Sequence, residues 1–355
     1  MIKKLFTLLS VASFLILLLT ACSNNGNPTS IVDGSALPSA NILIEYEITP
    51  IPLPKEQAEA SMEYSALAWY GNNLILLPQY PEGIDGNRDG FLYAISRESL
   101  IDFLENPATQ VQIGPIPFDD AGLSKDIIGF EGFEAVVFVE DSVYLTVEAR
   151  GGNPMKSYLI KGNVLTEEGR ISSILLKASS LVELTVQNTS SNASYEALTT
   201  DGQYIYAFFE QNGKAQNDHP YAVRLNLDLT NYQEVPLDFI NYRLTDATIM
   251  NDDGGFWIIN YFFPGDTHLR VGDDPISTRY GLGESHQQNE PVERLVKMNF
   301  TNGEFVLAEE APLYLHLLEN NEARNWEGLV ELDDSGFLIV TDKFPGSILV
   351  YIKIK

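Results

Sequence analysis

Five stretches of the chain share one order of apolar and polar positions. Each opens with a bulky residue, then a polar and usually acidic one, then a small one. An apolar run, a turn and a second apolar run follow. The openings are Tyr64-Ser65-Ala66-Leu67-Ala68, Phe133-Glu134-Ala135-Val136-Val137 and Tyr195-Glu196-Ala197-Leu198-Thr199, then Thr245-Asp246-Ala247-Thr248-Ile249 and Trp326-Glu327-Gly328-Leu329-Val330. The turns fall on Gly71-Asn72-Asn73, Asp141-Ser142, Asp201-Gly202, Asp252-Asp253-Gly254 and Asp333-Asp334-Ser335-Gly336, residues that tolerate positive φ or make Asx hydrogen bonds. Fourteen residues after Ser65, Glu134, Glu196 and Asp246 stand Gln79, Glu148, Glu210 and Asn260; in the fifth stretch Asp342 follows one place later, after Thr341. The pattern predicts β-hairpins whose two marked positions lie side by side at the open end.

Most hairpins continue into two more strand-like runs. After the third come Tyr221–Leu225 and a run ending near Val235; after the fourth come Arg294–Met298 and Phe305–Leu307. Four antiparallel strands per unit, repeated at intervals of 50 to 81 residues, predict an all-β chain folded as a single β-propeller of five four-stranded blades. The fifth unit ends after three strands, the last over Ser347–Ile354. The run Ile42–Ile48 is expected to supply the fourth, closing the ring and removing its free edges.

The first strand of each propeller blade lines the central channel. Ser65, Glu134, Glu196, Asp246 and Glu327 are therefore expected to form one ring, with Gln79, Glu148, Glu210, Asn260 and Asp342 beside them. Carboxylates drawn together repel, which raises their pKa values. A hard cation relieves the conflict, and Ca2+ accepts about 6–8 oxygen ligands of the kinds present here. A solvated acidic channel without metal is the alternative. The set contains no Cys or His, which argues against zinc.

The ring order Ser, Glu, Glu, Asp, Glu resembles that of the calcium-activated nucleotidases, or apyrases. Those are five-bladed propellers with a central Ca2+ held by Ser, Glu, Glu, Ser and Glu. By that resemblance Ser65, Glu134, Glu196 and Glu327 are metal ligands, while Asp246 replaces a serine unless Thr245 supplies the hydroxyl. Where that family carries Asp-Asp-Arg-Thr-Gly, this chain has Leu77-Pro78-Gln79-Tyr80-Pro81, so an expected phosphate-side arginine is missing. Phytase-like extracellular propellers share a similar blade start. The resemblance implies a Ca2+-dependent phosphohydrolase; a non-catalytic scaffold or receptor for protein or carbohydrate is the competing class.

Basic residues occur in all five loops that follow the hairpins. Those expected to receive an anionic small molecule are Arg150, Lys156, His219, His268, Arg270 and Lys343. Loop four, over residues 263–291, is long enough for a lid or a specificity insert. Asp85-Gly86-Asn87-Arg88-Asp89-Gly90 fits the first six positions of a calcium loop, with Asp85, Asn87 and Asp89 as ligands, but its twelfth position is Ser96 rather than Glu. An ordinary polar turn has the same composition. No G-x-S-x-G, H-E-x-x-H or P-loop is present.

The amino terminus changes the setting. Lys3-Lys4 precede a run from Leu5 to Leu19 that is apolar apart from Thr7, Ser10 and Ser13, too short for a comfortable membrane span and suited to a signal peptide. It ends in Leu19-Thr20-Ala21-Cys22, which resembles the lipobox of bacterial lipoproteins. That resemblance implies a signal peptide over 1–21, lipidation of Cys22, a flexible tether over 22–40 and a propeller domain over 41–355. Cys22 is the sole cysteine, so no internal disulfide can form. The expected location is the cell envelope, extracytoplasmic, on the cell membrane or outer membrane. Removing the signal takes two lysines and no acids, moving the net charge from −27 to −29. Such a chain repels nucleic acid and is expected to be a monomer.

Overall fold

The computed structural model describes residues 42–83, 90–152, 154–270, 272–319 and 322–355. Cys22, the signal and tether segments, and Asp85, Asn87 and Asp89 lie outside the described residues. Strands dominate, and the architecture is of propeller type. All described residues belong to one compact unit, Ala40–Lys355.

Each predicted hairpin is present. Tyr64–Tyr70 pairs with Asn73–Pro78, and the sheet continues through Phe91–Ser96 and Ile113–Asp119. The second sheet runs Phe130–Val139, Ser142–Ala149, Lys156–Glu167, Arg170–Leu176. The third runs Tyr195–Thr200, Tyr204–Phe209, Tyr221–Asn226, Gln233–Pro236. In the fourth, Arg243–Ala247 pairs with Gly255–Phe262 and that with Val292–Thr301, whose outer edge holds both Glu304–Leu307 and Leu313–Leu315. The fifth runs Trp326–Leu332, Gly336–Thr341, Leu349–Lys353 and then Ile48–Ile51. The outermost strands of the first two sheets also pair, in parallel, at Ile174 with Phe118.

The first strands of the five sheets contact one another in cyclic order: 64–70 meets 130–139, then 195–200, 243–247, 326–332 and back to 64–70. These strands read as nearly unbroken apolar runs because both faces are covered; Tyr195–Thr200 is buried along its whole length. Five apolar clusters fill the spaces between successive sheets, such as Leu77, Phe133 and Leu145 between the first and second, and Phe208, Phe256 and Phe305 between the third and fourth. The predicted turns carry the expected backbone. At Gly254 φ is +81° and a Cβ would lie 2.6 Å from the Phe300 carbonyl oxygen, so only glycine fits.

The closing strand differs from expectation. Ile48–Ile51, not Ile42–Ile48, pairs with Leu349–Lys353. The preceding residues are drawn to the fourth sheet, where Ile42–Leu43 pairs in parallel with Leu282–Gly283, and Glu45–Tyr46 with Leu313–Leu315. The reason is a buried polar anchor. Glu45 Oε1 accepts from the Ser285 backbone N–H (2.9 Å), the Ser285 hydroxyl (2.8 Å) and His286 Nδ1–H (2.8 Å). His286 Nε2 accepts from the Glu293 N–H, which leaves Nδ1 as the donor.

Candidate functional site: an acidic central cavity

The marked residue of each first strand is a break in the β ladder. Register shifts fall between Tyr64 and Ala66, Phe133 and Val136, Tyr195 and Ala197, Leu244 and Ala247, and Trp326 and Gly328. A bulge leaves its extra residue unpaired and re-aims the side chain. Ser65, Glu134, Glu196 and Glu327 thereby line a shared cavity of about 510 Å3, together with Gln79, Glu148 and Asp342.

The fourth sheet is set one residue over from the sequence alignment. Leu244 pairs with Asn260 just as Tyr195 pairs with Phe209 and Trp326 with Thr341. Thr245 therefore occupies the ladder position of Ser65, although, unlike Ser65, it is fully buried and not among the cavity-lining residues. Both hydroxyls make the same bond to the neighbouring sheet: Ser65 donates to the Phe133 carbonyl and Thr245 to the Trp326 carbonyl, each at 2.6 Å. Asp246 lies one place further on. Its carboxylate accepts from the Ala247 and Leu329 backbone N–H groups at 2.8 and 2.7 Å, and it is not among the cavity-lining residues. Likewise Tyr261, not Asn260, follows the paired position and faces the cavity. The Asn260 amide donates to the Asn241 and Arg243 carbonyls while its oxygen accepts from Arg294. The fourteen-residue spacing at Asp246 and Asn260 reflects a longer turn, not an equivalent position.

Eight carboxylates line the cavity: Glu134, Glu148, Glu196 and Glu327 in its depth, with Glu63, Glu131, Asp266 and Asp342 around them. Among the described residues two basic groups, Arg243 and Lys343, line it as well, for a formal balance of −6. Burial, followed by the nearby charges of Glu148 and Glu196, pushes the Glu134 carboxyl well above its usual range. Burial also raises Glu148. Glu327 is raised by burial and then by Glu196 and Asp342. Glu196 is lifted by burial to about 8, although Arg243 pulls in the opposite direction. The amide of Gln79 donates to Glu134 Oε1 at 2.8 Å. Among the described residues, Glu148 Oε1 and Glu210 Oε2 find no N–H or hydroxyl donor, and Glu148 lies close enough to Glu134 for the two carboxyls to share a proton.

Arg243 was not legible as a site residue. Its guanidinium donates to Glu210 and, at 2.8 Å, to Asp266. Burial opposes its charge, yet Glu196, Asp266 and Glu327 outweigh that and stabilise the cation. A single arginine two residues before Thr245 carries no spacing signal, because its partners come from three other segments.

The basic loop residues are mostly engaged elsewhere. Arg150 bonds Glu131 at 3.0 Å and Asn192 at 3.2 Å. Lys156 pairs with Glu183 at 3.3 Å, and Arg270 with Glu290 at 2.9 Å. Lys343 reaches the cavity but meets Glu63 at 3.1 Å. His219 and His268 do not line the cavity; the His268 carbonyl accepts from Gln216. Loop four is tied down at Asp274, which caps the helix Pro275–Tyr280 and pairs through both carboxylate oxygens with the buried Arg294.

Among the described residues no three Asp, Glu, His or Cys side chains are grouped as they stand to hold a metal ion. The donor chemistry nonetheless suits a hard cation, with oxygen donors throughout and, at Glu148, a carboxylate oxygen that no N–H or hydroxyl donor reaches.

No protein-family model and no curated protein matches the chain. Among solved structures, a glucose dehydrogenase is similar at 12% identity and a TM-score of 0.46, with 87% of this chain and 99% of that chain covered. An exo-1,5-α-L-arabinanase from a bovine ruminal metagenomic library is similar at 10% identity and 0.47, covering 88% and 95%. The soluble aldose sugar dehydrogenase of Escherichia coli is similar at 11% and 0.41, covering 84% and 98%. These likenesses concern the course of the strands and say nothing about chemistry.

Proposed function

We propose that the chain is a lipid-anchored, extracytoplasmic lipoprotein whose single five-bladed propeller binds Ca2+ at the centre of its ring and receives a small ligand through the cavity mouth. The observation that carries the cation is the imbalance of eight carboxylates against two basic groups, with Glu148 Oε1 buried and reached by no N–H or hydroxyl donor. Glu134, Glu196 and Glu327, with Ser65 as a neutral oxygen, are the residues that would hold the ion, and Glu148 and Asp342 would orient them. A bound Ca2+ would supply positive charge and an oxygen-seeking coordination sphere. Without it, Glu196, lifted to about 8, would hold a proton at neutral pH in its place. The anchor rests on Leu19-Thr20-Ala21-Cys22, and the ring count on five bulged first strands in cyclic contact.

Thermal melting with Ca2+, Mg2+ or chelator tests the central claim. A metal bound only by the folded state adds about 2.7 kcal/mol at a free concentration roughly a hundred times the dissociation constant, which raises the midpoint by several degrees. Glu134→Gln and Glu196→Gln should each abolish most of that rise. An unchanged midpoint would sink the metal site. The pairing of Arg150, Lys156, Arg270 and Lys343 with carboxylates favours a non-catalytic receptor over a phosphohydrolase. Ca2+-dependent phosphate release from nucleotides or phytate would reverse that preference.

A further inference from the structure

The ligand class follows from the mouth of the same cavity, and the argument rests on the reading of that cavity as a binding site. Phe263 and Phe344 line it, yet they are 48% and 59% exposed, among the most exposed large apolar side chains of the described residues. Tyr80, which follows the first sheet's hairpin, and the buried Tyr261 of the fourth sheet line it as well. Aromatic rings left in water beside buried carboxylates form a surface that attracts positive charge, because the ring face is the negative end of its quadrupole. Glu148 Oε1, buried in the cavity lining, has no donor apart from a proton shared with Glu134. With every group ionised an anion would meet a formal −6, or −5 with the proton that Glu196 holds near neutral pH, and even a bound Ca2+ leaves −4. The two cations lining the cavity are already held, Arg243 by Glu210 and Asp266 and Lys343 by Glu63.

We infer that the cavity takes a small organic cation bearing protonated amino groups, a diamine or polyamine, rather than the phosphorylated anion that the loop composition suggests. The N–H donors of one ammonium group would satisfy the deep carboxylates, and the methylene chain would lie against an aromatic ring of the lining such as Tyr261. A second ammonium group would sit between Phe263 and Phe344 at the rim. Binding is non-covalent and needs no co-reactant.

Calorimetric titration of the full chain with 1,4-diaminobutane and spermidine, in chelator and in saturating Ca2+, tests this. The isosteric 1,4-butanediol and inorganic phosphate serve as uncharged and anionic probes. Both amines should bind, more weakly when Ca2+ is present, and the diol and phosphate should not. Phe263→Ala and Phe344→Ala change exposed rim residues and should each weaken amine binding about two- to fivefold, leaving the Ca2+-induced rise in melting midpoint intact. Binding of the diol as tight as that of the diamine would overturn the inference, as would phosphate binding in its place. Amine binding untouched by both rim substitutions would overturn it too. Loss of amine binding alone, with the Ca2+ rise preserved, defeats the ligand class and leaves the metal site standing. The reverse outcome defeats the metal site and leaves the amine.

Discussion

Glu196 illustrates how one residue type acquires its properties from its neighbours. A glutamate on a solvated strand titrates near 4.5; burial in the ring lifts this one to about 8 against the pull of Arg243. Its folded-state pKa lies above the unfolded value, so the folded protein holds the extra proton between those limits. The stability contribution is complete below about 4.5 and is lost as the pH climbs through about 8. In chelator, the melting midpoint should therefore fall between about pH 5 and pH 8, and Ca2+ should cancel the fall because the ion replaces the proton. Glu196→Gln should flatten the profile. A wild-type midpoint that rises over this interval in chelator would contradict the assignment. Asp246, equally acidic in the sequence, has a different part: it bonds backbone N–H groups of two adjoining sheets.

At the scale of elements, the amino-terminal segment is a strap across two sheets. Ile48–Ile51 completes the fifth sheet while Glu45 fastens the preceding residues to the fourth. Burial alone would raise the Glu45 carboxyl, but its bonds to His286 and Ser285 overcome that and hold it below 4.5. A depressed folded-state pKa contributes stability above the unfolded value, and this is lost as the pH falls below it. Glu45→Gln should cost about 1–3 kcal/mol at neutral pH and accelerate hydrogen exchange over residues 42–51. The difference from wild type should shrink as the pH falls below about 4.5; a difference that did not shrink with acid would mean that packing, not the carboxylate, holds the strap. The expectation that Ile42–Ile48 forms one closing strand failed for a tertiary reason. Ser285, His286 and Glu293 are far from Glu45 in sequence, and nothing local announces that they converge on it.

At the scale of the whole molecule, net charge, anchor and cavity form one argument. A chain of formal charge −27 gathers eight carboxylates, among the described residues, around one cavity, and the proposed lipid at Cys22 would tether that acidic domain to a membrane. Cys22→Ser should shift the protein from the membrane pellet to the soluble fraction of fractionated cells. Retention in the pellet would remove the lipid anchor from the proposal. The one-residue offset in the fourth sheet is also a whole-molecule effect. Thr245 matches Ser65 in the ladder, and its hydroxyl donates to the Trp326 carbonyl of the next sheet, a contact that exists only once the sheets are side by side.

The apolar runs and turn residues by themselves determined that the chain makes five hairpins, each with a polar residue at its open end, because strand burial and positive-φ turns leave local marks on composition. They also determined which three glutamates face inward, since the bulge falls at the same place in each of those hairpins. Only the tertiary structure decided that Thr245 and Tyr261 stand in the ladder where Asp246 and Asn260 were expected, that Arg243 enters the acidic ring, and that the loop cations are already paired. Those outcomes depend on register across a ladder and on partners from distant segments, and the electrostatic energy that selects them belongs to the assembled cavity, not to any stretch of sequence.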